Sequence, residues 1–163
     1  MLRTCMALIL IAVALGGCDL GVRTDAAKGV EKFLAAARAG DRAAFEAAID
    51  RPALREDLRA QLIEVARAQG LEVEGGPSDF TLDRMISPEV FRLAQAGTGG
   101  AMPAAPSAAQ LAVMMKVIDR HHVCLSDTPS SGRCLLVFAK QKATWRLVGM
   151  QATDLKIRVR AQP

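Results

Sequence analysis

The sequence predicts an α+β domain, with N-terminal helices packed on a C-terminal antiparallel meander of about four strands. Three observations predict it. The first two-thirds of the chain are rich in alanine, a strong helix former, and carry apolar residues at helical spacing. After Ser107 the apolar residues alternate with polar ones or gather in short extended runs. Closely spaced strands with turns between them make a meander, and helices followed by strands pack as helices on one face of a sheet.

Ahead of the domain stands MLRTCMALILIAVALGGCDL. Its apolar run, Met6 to Leu15, falls short of the roughly 20 apolar residues that span a bilayer. Arg3 gives the positive start and Leu8 to Leu15 the apolar centre of a secretory signal. Leu15-Gly16-Gly17-Cys18 resembles the bacterial lipobox. That resemblance implies removal of residues 1–17 and acylation of Cys18 by palmitate-type chains. Such chains hold a protein to a membrane at about 0.8 kcal/mol per buried CH₂. Asp19 resembles the inner-membrane retention signal of enteric bacteria. It tips the expected location from the outer membrane toward the periplasmic face of the cell membrane. Residues 18–23 are then expected as an acylated tether and 24–163 as one α+β domain.

The helices follow in order. Thr24 can cap the first, with Val30, Phe33, Leu34 and Ala37 on one face and Gly40 to stop it. Asp41 caps a short second helix carrying Phe45, Ala48 and Ile49. Asp50 caps a third, and Pro52 sits in its first turn, where a missing N–H does no harm. Leu54, Leu58, Leu62 and Val65 give that helix an apolar stripe, which ends near Gln69-Gly70. Ser78 caps a short helix with Phe80, Leu82, Met85 and Ile86. Ser87-Pro88-Glu89 starts another, with Val90, Phe91 and Ala94 inward and Gly97 after it. Residues 98–108 are low-complexity and read as a surface loop. Ala108 to Met114 is a short helix. The expected strands are KVIDRHHVCL, RCLLVFAK, TWRLVGMQ and the strictly alternating DLKIRVR.

Once the signal has taken Cys5 and the lipid Cys18, Cys124 and Cys134 remain. An even pair in an oxidising compartment reads as a disulfide, and the turn-rich SDTPSSGR between them lets a hairpin bring them together. Their spacing is wrong for a CxxC redox motif or a compact zinc site.

Asp41, Phe45, Ile49-Asp50, Pro52, Leu54-Arg55, Leu58 and Gln61-Leu62 resemble a bacterial envelope family known only as domain of unknown function 2939. Ile86-Ser87-Pro88 and Trp145-Arg146-Leu147 extend the likeness over roughly residues 28–150. The resemblance implies a cell-envelope setting and no particular chemistry. The layout also looks like the cone-shaped cystatin and nuclear-transport-factor folds, which host many functions.

Several function classes lose ground on composition. The formal net charge is +4, with acids interspersed among the bases, which is not the footprint of a nucleic-acid binder. Five Phe, one Trp and no Tyr leave little for stacking on bases or sugars. There is no P-loop and no GxGxxG, and no cofactor is expected. Ser78, Ser87, Ser107, Ser126, Ser130 and Ser131 sit in caps or turns, none in a GxSxG elbow. His121 and His122 would point to opposite faces of a strand. Only Asp119 and His121 would share one, short of the three or four ligands that a metal needs.

Arg51, Arg55 and Arg59 recur at helical spacing and are candidates for contact with an anion, a lipid headgroup or a partner. Glu56, Asp57 and Glu64 on the same helix dilute that stripe, and Asp50 is placed to cap the helix and pair with Arg55. The sequence therefore points to a lipid-anchored envelope protein with a non-catalytic binding or scaffolding role. Its partners would be the membrane, through Cys18, and an envelope protein. The alternative is a small-ligand module with a pocket between helices and sheet, lined by Phe33, Phe91, Phe138 and Trp145.

Overall fold

The computed structural model describes residues 2–71, 75–91, 105–126 and 132–151, with side chains from Asp19 onward. The elements are α1 (Leu2–Ala39), α2 (Arg42–Ala47), α3 (Arg51–Ala68), α4 (Asp79–Met85), α5 (Ala108–Met114), β1 (Met115–Val117), β2 (His122–Ser126), β3 (Cys134–Gln141) and β4 (Thr144–Met150). Helices thus precede an antiparallel four-stranded sheet of order β1-β2-β3-β4, the predicted α+β arrangement.

α1 corrects one expectation. Residues 18–23 continue the helix, and Thr24 lies inside it, its hydroxyl donating to the Leu20 carbonyl at 2.8 Å rather than capping a new start. An interior glycine costs a helix only about 1 kcal/mol against alanine, so Gly16, Gly17 and Gly21 do not break one flanked by strong helix formers. Val30, Phe33 and Ala37 are buried as their spacing requires, and Gly40 ends the helix at φ 68°.

The caps are those the sequence marks. Asp41, Asp50, Ser78 and Ser107 each accept a backbone N–H at the start of α2, α3, α4 and α5. Gln110 completes a capping box with Ser107. Leu54 and Leu58 carry α3 onto the core. α4 departs from its predicted face. Leu82 and Ile86 are buried, but Phe80 is 73% exposed. Residues 88–91 are helical with Phe91 buried, while Ala94 and Gly97 lie outside the described residues.

The first expected strand is two strands. Met115–Val117 and His122–Ser126 pair antiparallel, and Ile118 to His121 turn between them. Asp119 makes that turn, its carboxylate accepting the backbone N–H of His121 at 2.6 Å and of His122 at 2.9 Å. The next two expected strands are β3 and β4. The fourth, Asp154 to Arg160, lies outside the described residues, as does the loop from 98 to 104.

One connection escaped the sequence. The chain between α2 and α3 is stitched to the edge strand β4. Leu147 N–H donates to Ala48 at 3.0 Å and Asp50 N–H donates to Leu147 at 2.8 Å, a parallel bridge at Ile49. It covers backbone groups that an edge strand otherwise leaves open.

Phe33 forms the centre of the core. Its ring lies 5.5 Å from Phe45, 5.1 Å from Phe91 and 5.7 Å from Phe138, so α1, α2, the 88–91 turn and β3 meet on four aromatic side chains. The rings cross at tilted or edge-on angles, which such pairs prefer. Phe33, Phe91, Phe138 and Trp145, the residues expected to line a ligand pocket, are all buried in this core.

Candidate functional site

The sequence-marked residues separate into three places. Cys18 stands in the helical backbone of α1, and its side chain lies outside the described region. Cys124 and Cys134 form a disulfide across the β2–β3 hairpin, with Cα atoms 5.5 Å apart. Cys134 pairs in register with Ser126, two residues beyond Cys124 on the same face, and a shift at Leu125/Ser126 lets the two sulfurs meet.

The arginine stripe is the third. Arg51, Arg55 and Arg59 turn toward α4 and α2, where three carboxylates meet them. Arg55 holds both oxygens of Asp83, at 2.7 and 2.5 Å, and reaches Asp79 at 3.3 Å. Arg51 donates to the same Asp83 at 2.9 Å and grips Glu46 with two of its nitrogens. It also donates to the Ile86 carbonyl at 3.2 Å, satisfying the C-terminal end of α4. Arg59 binds Asp79. The hydrogen bonds from Arg55, with those from Arg51 behind them, hold the Asp83 carboxyl below its ordinary range.

Three cations thus face three anions of the same chain, and the stripe's charge is internally balanced. The expected Asp50–Arg55 pair is not made. Asp50 caps α3 with one oxygen and accepts from Gln141 at 2.5 Å with the other. Beside the stripe lies a shallow recess of about 490 Å³ floored by Pro52, Ala60 and Ile63.

The histidines also sit differently from their strand reading. His122, not His121, meets Asp119, its Nδ1 at 2.9 Å from the carboxylate. Among the described residues, no three His, Cys, Asp or Glu side chains come together as metal ligands would.

A groove that sequence reasoning missed runs along α1. It measures about 680 Å³ and is lined by Ala35, Ala36, Ala39, Ala44, Ala47, Ala48 and Ala143, with Lys28, Lys32 and Asp41 among its polar lining. At one end Asp25 accepts from Lys140 at 2.7 Å and from the Trp145 indole N–H at 3.0 Å. Lys140 also lies 5.7 Å from the centre of the Trp145 ring. These bonds, that of Lys140 foremost, hold the Asp25 carboxyl below its ordinary range. Two signals in the sequence could have found the place. A buried tryptophan needs an acceptor for its N–H, and Asp25 directly precedes the buried pair Ala26-Ala27.

Chemically, the groove offers small apolar side chains, which let another backbone approach closely, and charges at its margin for register. The chain matches no family model, no curated protein and no solved structure.

Proposed function

We propose that this chain is a lipid-anchored protein of the bacterial cell envelope, held through acyl chains on Cys18, with a non-catalytic binding or scaffolding role. The observation that carries the reading is the Cys124–Cys134 disulfide in a chain that opens with a lipobox-like Leu15-Gly16-Gly17-Cys18. Disulfides persist in oxidising compartments, and export on a signal would take the domain to one. Among the described residues no helix is long and apolar enough to cross a membrane, which suits attachment by a lipid. The likeness to domain of unknown function 2939 belongs to the same proposal and brings no activity with it. Its residues here serve as caps, core and stitches: Asp41, Phe45, Asp50, Leu54, Leu58 and Gln61.

Within this reading the alanine-lined groove is the seat for an apolar segment of an envelope protein. Mass spectrometry of the membrane-extracted protein tests the anchor. The expected product begins at Cys18 and carries acyl chains, and Cys18→Ala leaves an unlipidated protein in the soluble fraction. A Cys18→Ala form that stays acylated and membrane-bound overturns the anchor. For the groove, a photo-crosslinker at Ala44 should capture a discrete envelope protein in intact cells where one at Gly132 does not. Equal capture at both sites overturns the groove as the seat.

A further inference from the structure

We propose that the domain meets the membrane as a rigid body, its end at Leu20 to Arg23 seated in the headgroup layer of an anionic phospholipid surface; this rests on acylation of Cys18. The sequence suggests a tether at 18–23, and in the structure those residues are helical. α1 is continuous across those residues, and Val22 already packs against the core. At 1.5 Å per residue, Val22 stands about 6 Å and Asp25 about 10 Å along the helix from Cys18. The headgroup region on one side of a bilayer is about 5–8 Å thick. A helical stub of that length cannot lift Val22 clear of the headgroups, and once residues 1–17 are removed the carbonyls of Cys18 to Leu20 still accept from the N–H groups of Val22 to Thr24, which keeps the stub helical.

The stub's direction passes into the sheet. Asp25 is tied to Lys140 on β3 and Trp145 on β4, and Gly29 one turn later rests directly on Trp145. The side chains at this end suit the surface. Leu20 is 65% exposed, beside the acylation point where the acyl boundary would lie. Arg23 and Lys28 supply cations to anionic headgroups, while Asp25 and Lys140 neutralise each other. Asp19 is exposed beside Cys18. The β2–β3 end is far away, since Cys134 and Lys140 are the two ends of a run of β3 about 20 Å long.

The test uses the acylated full-length protein in vesicles of phosphatidylethanolamine and phosphatidylglycerol. An environment-sensitive fluorophore is placed at Thr24→Cys or at Gly132→Cys, and a quencher is fixed to the headgroups. Quenching at 24 should exceed that at 132 several-fold. A flexible Gly-Ser insertion between Asp19 and Leu20 should cut that ratio markedly. A ratio that the insertion leaves unchanged overturns the rigid seating while acylation stands. An unacylated Cys18, read by mass on the same sample, overturns both.

Discussion

The carboxylate of Asp25 accepts the indole N–H of Trp145 across 120 residues of sequence, and the same oxygen takes the Lys140 ammonium. One side chain therefore ties α1 to β3 and β4. Asp25→Asn keeps the shape and removes the charge. Its side chain is 48% exposed, so solvent screens much of the ion pair, and the loss is about 0.5–1 kcal/mol. That should lower the melting temperature by about 1–4 °C and shift the emission of the sole tryptophan. The acid dependence has a definite sign. Asp25 is depressed below its ordinary 3.8, so its contribution is complete above that value and is lost as pH falls through the lower folded value. Wild type and Asp25→Asn should differ at neutral pH and converge well below pH 4, as followed by thermal melts across the acid range.

Gly29 makes the same junction possible. A Cβ built there would sit 2.7 Å from the Trp145 Cβ, closer than atoms tolerate. Gly29→Ala gains about 1 kcal/mol of helix propensity but forces apart α1 and β4, an overpacking cost of about 1–3 kcal/mol. The clash should win. Gly21→Ala is the control on the same helix, since nothing lies within 4 Å of its added Cβ, and it should stabilise by about 0.5–1 kcal/mol. Denaturant unfolding of the two variants should move the midpoint in opposite directions.

Asp83 anchors α4 through Arg51 and Arg55. Asp83→Asn removes the shared negative charge and one of its two acceptor oxygens, and leaves two arginines facing each other across a weakened site. Amide exchange in α4 should quicken roughly two- to fivefold, the scale of a partly exposed ion pair, and exchange in β3 should not change. High salt should narrow the difference between variant and wild type. Because the Asp83 carboxyl is held below its ordinary value, the same opening should appear in wild type as pH falls through that lowered value. Unchanged α4 exchange in Asp83→Asn would mean that Leu82 and Ile86 alone hold the helix.

Local chemistry was legible in the sequence and distant chemistry was not. Asp41, Asp50, Ser78 and Ser107 act on backbone groups three residues away, so their roles can be read from spacing alone. The stripe Leu54, Leu58 shows which side of α3 turns inward. The turn at Ile118 to His121 was hidden because Val117-Ile118 reads as strand and only the Asp119 side chain breaks it. Phe80 was misplaced because helical periodicity cannot tell which of two faces meets a neighbour. Arg55 meets Asp83 at a separation of 28 and Asp25 meets Trp145 at 120; such partners emerge only once the helices are laid on the sheet. The same holds for the groove, whose alanines come from α1, α2 and the β3–β4 turn.

The hairpin disulfide should carry measurable stability. Cross-linking residues ten apart removes a small loop's freedom from the unfolded chain, worth about 2–3 kcal/mol. Reduction under native conditions, followed by alkylation and a urea titration, should lower unfolding free energy by that amount. Two free thiols in protein isolated from an oxidising compartment would instead show that the bond does not form there.

Asp57 provides the sharpest test of how α3 is fixed to the sheet. Its carboxylate oxygen accepts the Met150 backbone N–H at 3.0 Å and the Gln61 amide at 2.8 Å, and that same amide donates to the Met150 carbonyl at 2.8 Å. Two side chains one helical turn apart thus bind both backbone groups of one residue, as a neighbouring strand would. The geometry is close, since a Cβ added at Gly149 would lie 3.3 Å from the Asp57 oxygen. Asp57→Ala leaves the N–H of a buried residue without its acceptor, at about 1–3 kcal/mol, whereas Asp57→Asn can still accept through its amide oxygen and should cost less. Gln61→Ala alone should be milder than Asp57→Ala, and the double variant should fall short of the sum because the two share one network. Strictly additive losses in a denaturant double-mutant cycle would show that the two side chains act independently.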